Sequence, residues 1–433
     1  MNPLMDLILE KKAKVGIVGL GYVGLPLALR FAEQGFDVIG FDVDVKKINS
    51  LELGESYIKH IDGKRVREQK SRILATTQFA LVSNCDVVIL CVPTPLTIQR
   101  EPDLSCITNA MQSCLPYLRS HQMLSLESTT FPGTTSEILK PMIEKKGLKD
   151  GVDFALVYSP EREDPGNERY STANTPKVVG ADSPLSLEVG LALYGTIVEQ
   201  VVPVSTSRAA ELTKLVENIH RCVNIALVNE LKIVATKMGI NIHEVLEAAS
   251  TKPFGFTKYL PGPGIGGHCI PVDPSYLSWK AREFGVQTRF IDLANEVNGQ
   301  MPEWVIARLQ DALNHVEKSL KGSRILILGL AYKKNIDDMR ESPSLQILQL
   351  ASQKGALVSY CDPFVPEVHP HQEFTLSLKS LDWDPIALQS FDAIVISTDH
   401  DHFDYAALAQ NGKIVIDTRG VFHGKELENV VRA

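Results

Sequence analysis

The chain has 433 residues, a length that suits about three domains of ~150 residues each. Hydrophobic residues make up 44% and charged residues 22%, enough apolar material for a real core. The 44 basic and 52 acidic residues leave a net charge of −8 with no block of like charges, which argues against nucleic acid or an anionic membrane as a partner.

At the N-terminus, Leu7-Ile8-Leu9 precedes Lys11 and Lys12, the reverse order of a secretory signal. The uncharged stretch Val15–Leu29 holds four glycines and Pro26, and no apolar span of ~20 residues follows it. The expectation is a soluble, cytoplasmic protein. Continuous apolar runs at Lys14–Gly19, Phe36–Asp42, Cys85–Pro93, Met123–Ser128 and Phe154–Ser159 read as buried strands, with helical periods between them. Pro176–Gly180 and Glu199–Ser205 extend the pattern, which predicts a parallel sheet with helices on both faces.

The loop after the first strand reads GLGYVG. Gly19 suits a tight turn, Gly21 a close approach of pyrophosphate to the backbone, and Gly24 the packing of helix on sheet, with Tyr22 and Val23 between the last two. Asp42, 18 residues after Gly24, ends the next strand, where a carboxylate accepts hydrogen bonds from an adenosine ribose and repels a 2′-phosphate. NAD is therefore favoured over NADP, although Lys46 and Lys47 stand nearby; a glycine turn without a ligand is the alternative. Thr94 in CVPTP, Ser128, Thr129 and Thr130 in ESTTFPGTT, and Glu161 in YSPERE all follow strand ends, at the carboxyl edge where open α/β sheets bind ligands. Turns and helix caps are the plainer reading of each.

From Arg208 to Gly239 apolar residues recur at three- and four-residue steps without Gly or Pro, predicting one long helix. Lys214 and Asn218, four apart, share a face of it; a solvated polar face with Glu211 and Glu217 is the alternative. A second helix is predicted at His243–Ala249, a loop at Lys252–Pro274 and a long helix at Thr288–Leu320. The loop surrounds Cys269 with Pro261–Gly264, Gly266 and Gly267, backbone bare enough for close approach to a ligand, and sets Asp273 four residues on. His268 is placed either to tune that thiol or for structure alone. The other six cysteines lack such a setting, and neither CxxC spacing nor the histidines suggest a metal site.

Strands resume at Arg324–Ala331, which parallels Lys14–Gly21, and at LVSYCDP, DAIVIST and KIVIDT. Aligning Gly329 with Gly19 puts Ala331 at the position of Gly21 and Lys334 at that of Gly24, so this loop suits a different phosphate-bearing ligand from a dinucleotide, or none. The predicted fold is α/β: two Rossmann-like, doubly wound parallel-sheet domains, residues 1–206 and 301–433, joined by a central all-helical domain, residues 207–300, with the connecting helix at 288–320.

GLGYVGLP, CVPTP, ESTTFPGTT, YSPERE, KLVEN, GPGIGGHCIPVDP and YKKNIDDMRESP stand in the order found in the UDP-glucose/GDP-mannose dehydrogenase family, which the chain resembles over about residues 13 to 421. The resemblance implies oxidation of the 6-hydroxyl of a nucleotide-linked sugar to a carboxylate with two NAD+ in succession. It implies Cys269 as nucleophile, Lys214 and Asn218 at the oxyanion, Thr129 and Asp273 positioning or activating water, and Glu161 as general base. Lys333 and Arg419 are then expected on the substrate with Arg162, Gly266, Glu161, Lys214, Asn218 and Cys269. Arg340 and Thr94 are expected on the cofactor with Thr129 and the glycine loop. A homodimer or higher oligomer across the central helix is implied as well, and two ligands on separate α/β domains with a helical domain between them suggest movement between domains.

SPEREDPGN, with Arg162 after the base and Pro165 where UDP-glucose members carry a second acid, resembles the branch acting on N-acetylated UDP-hexosamines. The expected substrate is UDP-N-acetylglucosamine, for surface polysaccharide precursors; UDP-N-acetylmannosamine, UDP-N-acetylgalactosamine and UDP-glucose remain open. Two rivals differ in outcome. A hydroxy-acid dehydrogenase would yield one NADH per substrate without Cys269, and a non-catalytic NAD and nucleotide-sugar sensor would yield none.

Overall fold

A computed structural model describes residues 3–59, 61–97, 99–162, 170–267, 269–370 and 374–433; Pro165 and His268 lie outside them. The chain forms two compact units, one of Met1–Glu217 with Ser275–Val286, the other of Asn218–Pro274 with Gln287–Ala433.

The first unit is built on eight strands: β1 (Lys14–Val18), β2 (Asp37–Phe41), β3 (Ile73–Thr76), β4 (Val87–Leu90), β5 (Gln122–Leu126), β6 (Phe154–Tyr158), β7 (Lys177–Gly180) and β8 (Val201–Val204). Their order is β3-β2-β1-β4-β5-β6-β7-β8. Alternate residues of each strand enter different cores. Val15, Ile17, Val87, Ile89, Ala155 and Val157 belong to one cluster, and Val18, Val88, Leu90, Leu156 and Tyr158 to another. Both faces are covered, which is why these strands read as continuous apolar runs. The pairing departs from wholly parallel at one place, where β6 meets β7 antiparallel through Tyr158 opposite Gly180. β3 has no counterpart in the sequence pattern, since only its last two residues, Ala75 and Thr76, are buried. The residues before β1 form a helix, Pro3–Leu9, whose Leu4 and Ile8 enter the same core as Val189 and Leu193 of the helix Pro184–Gly195.

The second unit carries β9 (Arg324–Leu328), β10 (Leu357–Cys361), a ribbon of β11 (Glu367–Val368) with β12 (Leu378–Lys379), then β13 (Ala393–Ile396), β14 (Val415–Asp417) and β15 (Val430–Arg432). The main sheet runs β10-β9-β13-β14-β15 and is parallel throughout. It too sorts alternate residues, with Ile325 and Ile327 in one core and Leu326 and Leu328 in another.

Four helices separate the two sheets in sequence: Ser207–Lys237, Ile242–Ser250, Asp273–Glu283 and Arg289–His315. The predicted loop thus ends two residues early, because Pro274 stands in the first turn of a helix, where its missing N–H is no loss. The last helix stops five residues short of Leu320, and Glu317 turns the chain in the left-handed region at φ 57°.

Candidate active site

The carboxyl edge of the first sheet begins with the glycine loop. Gly19 has φ +92°, and a Cβ there would lie 2.6 Å from the Cys91 carbonyl oxygen. At Gly24 a Cβ would meet the Gly19 carbonyl oxygen at 1.8 Å, so the helix Gly24–Glu33 can start this close to β1 only without a side chain. Gly21, by contrast, has nothing within 4 Å of the position a Cβ would take, which leaves its backbone open to a ligand such as pyrophosphate. Tyr22 and Val23 are half-buried beside it.

Asp42, 7% exposed, directly follows β2 and accepts from the Leu20 N–H at 2.8 Å, the Asp44 N–H at 2.9 Å and Lys47 Nζ at 2.9 Å. Burial opposes its charge, but these donors outweigh burial and hold the carboxyl below its ordinary range. Further along the edge Thr94 is buried and Thr129 half-buried, while Ser128 Oγ donates to the Val92 carbonyl at 2.7 Å. Tyr276, which no motif marked, is buried and donates from its hydroxyl to the Pro95 carbonyl at 3.2 Å. These glycines, the open backbone at Gly21 and the acid at Asp42 fit an NAD.

Glu161 lies three residues after β6, and it and Arg162 are held from several directions. Lys214 Nζ donates to the Glu161 carbonyl oxygen at 2.5 Å, and Glu161 Oε1 accepts the Arg162 N–H at 2.7 Å. The Arg162 guanidinium donates to Glu217 at 2.7 and 3.2 Å and to the Pro176 carbonyl at 2.7 Å. Behind this segment is a cluster the sequence reading did not contain. Lys177 Nζ donates to Glu127 Oε2 at 2.9 Å and lies 3.9 Å from Glu161 Oε2. The Tyr194 hydroxyl donates to Glu127 Oε1 at 2.7 Å and lies 2.8 Å from Ser125 Oγ. Burial raises the pKa of Glu127, whereas burial of Lys177 is outweighed by the two carboxylates, which raise its pKa and keep it a cation.

In the second unit Cys269 is half-buried, and its carbonyl accepts the N–H of Val272 at 3.1 Å and of Asp273 at 2.8 Å. Asn218 Nδ2 donates to Asp273 Oδ2 at 2.5 Å, and both residues are buried. Lys214 and Asn218 therefore stand one turn apart on the helix Ser207–Lys237, each bonded to another residue of the predicted set. Gly266 and Gly267 owe their bareness to packing. A Cβ at Gly266 would meet Tyr332 Cβ at 2.5 Å, and one at Gly267 the Tyr332 ring at 3.0 Å. The Gly267 N–H also donates to the Arg340 carbonyl at 2.9 Å. The Arg340 guanidinium is paired with Asp338 at 2.6 Å, Lys333 is half-buried in the same segment, and Arg419 Nε donates to the Ser397 carbonyl at 2.7 Å.

Comparison with known proteins gives the same motifs a family. Residues 13–198 match the NAD binding domain of the UDP-glucose/GDP-mannose dehydrogenase family, residues 208–300 its central domain and residues 326–424 its UDP binding domain. The chain belongs to the UDP-glucose/GDP-mannose dehydrogenase family. It is 34% identical over 398 residues to the UDP-N-acetyl-D-glucosamine 6-dehydrogenase of Pseudomonas aeruginosa, covering 91% of this chain and 92% of that one. It is 33% identical over 418 residues to the UDP-N-acetyl-D-mannosamine dehydrogenase of Pyrococcus horikoshii, covering 94% and 96%. The solved structure of the UDP-D-ManNAc dehydrogenase from that organism superposes with a TM-score of 0.87 at 30% identity, over 97% of this chain and 98% of that one. The family member described here is an NAD-dependent nucleotide-sugar 6-dehydrogenase with a UDP-sugar substrate. Among the described residues no helix is long and apolar enough to cross a membrane.

Glu211, three residues before Lys214, couples this helix to the loop after β5. Its carboxylate is fully buried and accepts the N–H of Gly133 at 2.6 Å, the N–H of Thr135 at 2.8 Å and the Thr135 hydroxyl at 2.7 Å. Burial outweighs these donors and pushes its pKa up to about 7. The folded protein thus holds this proton more tightly than the unfolded chain, so stability is lost as pH rises from about 4.5 to 7, by up to ~3 kcal/mol. Urea unfolding of wild type and Glu211→Gln at pH 5 and pH 8 should show the stability difference moving against wild type at the higher pH. A difference independent of pH would refute the assignment.

Proposed function

We propose that this enzyme oxidises UDP-N-acetylglucosamine to the corresponding uronate, by four electrons and through a covalent intermediate on Cys269, to supply surface polysaccharide precursors. The observation that supports this most is the hydrogen-bonded set of Cys269, Asp273 and Asn218, on a family frame whose near relatives act on N-acetylated UDP-hexosamines. The mannosamine epimer is the second reading, since a relative named for it is as similar as the glucosamine one.

NAD+, held by the glycine loop and Asp42, supplies the hydride acceptor. The Cys269 thiolate adds to the aldehyde carbon to form a thiohemiacetal, and oxidation of that adduct leaves a thioester. Lys214 and Asn218 stabilise the negative oxygen. Among the contacts of the described residues Lys214 uses one of its three N–H bonds and Asn218 one of its two, which leaves donors for that task. Each such donor is typically worth ~3 kcal/mol in the barrier. Glu161 takes a proton from the water that cleaves the thioester, with Thr129 and Asp273 positioning water, and hydrolysis makes the overall reaction effectively irreversible. Arg162, Gly266, Lys333 and Arg419 are assigned to the substrate, and Thr94 and Arg340 to the cofactor side.

With Cys269→Ser, nucleotide-sugar binding should persist while carboxylate formation falls by several orders of magnitude. Wild type should yield two NADH per carboxylate, and a ratio of one would favour the hydroxy-acid rival. Initial rates across UDP-N-acetylglucosamine, UDP-N-acetylmannosamine, UDP-N-acetylgalactosamine and UDP-glucose decide the substrate. A tenfold preference for UDP-glucose would overturn the N-acetylhexosamine reading.

The same proposal includes a homodimer across the central helices. Leu227, Leu231 and Val234 form a stripe on the helix Ser207–Lys237 that is 41–52% exposed, and Phe290 on the helix Arg289–His315 is 80% exposed. Apolar side chains in such a row are characteristic of covered interfaces. Native mass spectrometry should give twice the chain mass, and Leu231→Glu should shift it to monomer. A wild type that is monomeric at micromolar concentration would refute the dimer.

A further inference from the structure

The cluster behind Glu161 has no stability rationale. Glu127 is 1% exposed, Lys177 5% and Tyr194 0%. A buried ion pair of this kind is generally no more stabilising than apolar residues of the same volume, because desolvation offsets the attraction. Its parts are also held unusually firmly. Glu127 directly follows β5, Lys177 opens β7, Tyr194 sits on the helix Pro184–Gly195, and the ammonium lies 4.9 Å from the Tyr194 ring centroid. Glu127 takes the nearer position to the cation, at 2.9 Å. The second carboxylate it faces is Glu161, 3.9 Å away, which stands three residues after β6 in neither a helix nor a strand.

We infer that Lys177 is a positioning residue, a rigid buried cation anchored by Glu127 and Tyr194 that aims the Glu161 carboxylate at the water cleaving the Cys269 thioester. The inference rests on the roles proposed above for Glu161 and Cys269. In that step the water oxygen bonds to the acyl carbon and the C–S bond breaks with its electron pair leaving on sulfur. One water proton passes to Glu161 and the other departs as the product acid ionises, with no change in oxidation state. A misplaced Glu161 slows this step while leaving the preceding oxidations in place, so the acyl-enzyme accumulates.

The test compares wild type, Glu161→Gln, Lys177→Met and the double variant Glu127→Gln/Lys177→Met, the last removing both buried charges together. Each is mixed with NAD+ and whichever of UDP-N-acetylglucosamine and UDP-N-acetylmannosamine the wild type oxidises, then followed by stopped-flow absorbance and intact-protein mass. The expected result in both Lys177 variants is a retained first burst of NADH, a steady-state rate at least tenfold lower, and a protein mass raised by the sugar acyl group, as in Glu161→Gln. If Glu161→Gln carries the adduct but neither Lys177 variant does, with burst and steady state falling together, the positioning role is overturned while the covalent reading stands. A double variant that does not fold assigns the pair to stability and overturns it equally. Absence of the adduct from Glu161→Gln as well removes the covalent reading and this inference with it.

Discussion

A carboxylate just after the second strand of each unit in chain order, accepting the N–H that follows the glycine after the first strand, fixes the carboxyl edge of both α/β domains. In the first, Asp42 takes the Leu20 N–H; in the second, Asp362 takes the Leu330 N–H at 2.6 Å. The glycines are constrained alike. Gly329, at φ +80°, would bring a Cβ within 2.5 Å of Thr398, just as Gly19 would against Cys91. What differs is the saturation of the acid. A carboxylate offers about four lone-pair sites. Asp42 receives three donors, one of them the half-exposed Lys47, whereas Asp362 receives the N–H groups of Leu330, Ala331, Phe364 and Val365 together with His400 Nε2 at 3.0 Å. His400 Nδ1 accepts the Asn335 N–H, so the proton on Nε2 is the one donated to Asp362. Capacity for a ribose therefore remains at Asp42 and is used up at Asp362. One supersecondary device serves a dinucleotide in one domain and internal structure in the other.

The Gly-rich stretch before Cys269 follows a similar logic. Three residues of it lie against the second unit's own side chains: Gly262 against the Arg419 guanidinium, Gly264 against Pro343, and Gly266 against Tyr332. Its backbone is further held by Asn229, which accepts the Gly262 N–H at 2.9 Å, and by the buried Lys232, which donates to the Gly262 carbonyl at 2.9 Å. Glycine here lets two chain segments meet without intervening Cβ atoms, and the thiol is carried on a loop fixed at both its start and its end. On the role proposed for Cys269, a nucleophile on rigid supports is worth more than one on a free loop, since small displacements of a reacting atom cost large factors in rate.

Much of this was legible in sequence because it is local. Strands buried on both faces give continuous apolar runs, a glycine triad and an acid 18 residues on give a dinucleotide edge, and Lys214 and Asn218 declare a shared helix face by spacing alone. The parts that were not legible are long-range. Glu127 and Lys177 are 50 residues apart and Tyr194 and Glu127 are 67 apart, so although Glu127 opens the ESTTFPGTT motif, nothing local to it points to these partners. Asp362 and His400 are hidden for the same reason. β3 is missed because it has only four residues, of which Leu74 is exposed and Ile73 and Ala75 are the apolar ones that pack on the core. The glycines before Cys269 were visible, but composition cannot distinguish a backbone bared for a ligand from one bared for Tyr332.

Lys177, Lys214 and Arg162 are bonded to the protein before any substrate arrives: Lys177 to Glu127, Lys214 to the Glu161 carbonyl, Arg162 to Glu217 and the Pro176 carbonyl. Each cation is thereby fixed in direction as well as in place. On the oxyanion role proposed for Lys214, a donor preorganised in this way stabilises developing negative charge without reorganising during the reaction. A fixed guanidinium also has a consequence for choice of substrate. On the substrate role proposed for Arg162, two N-acetylhexosamines that differ only in the direction of the 2-acetamido group present it to different positions, and a tethered guanidinium cannot follow the group from one to the other. Discrimination between epimers then comes from stiffness rather than from a contact unique to either sugar, and loosening Arg162 by removing Glu217 should cost selectivity before it costs affinity.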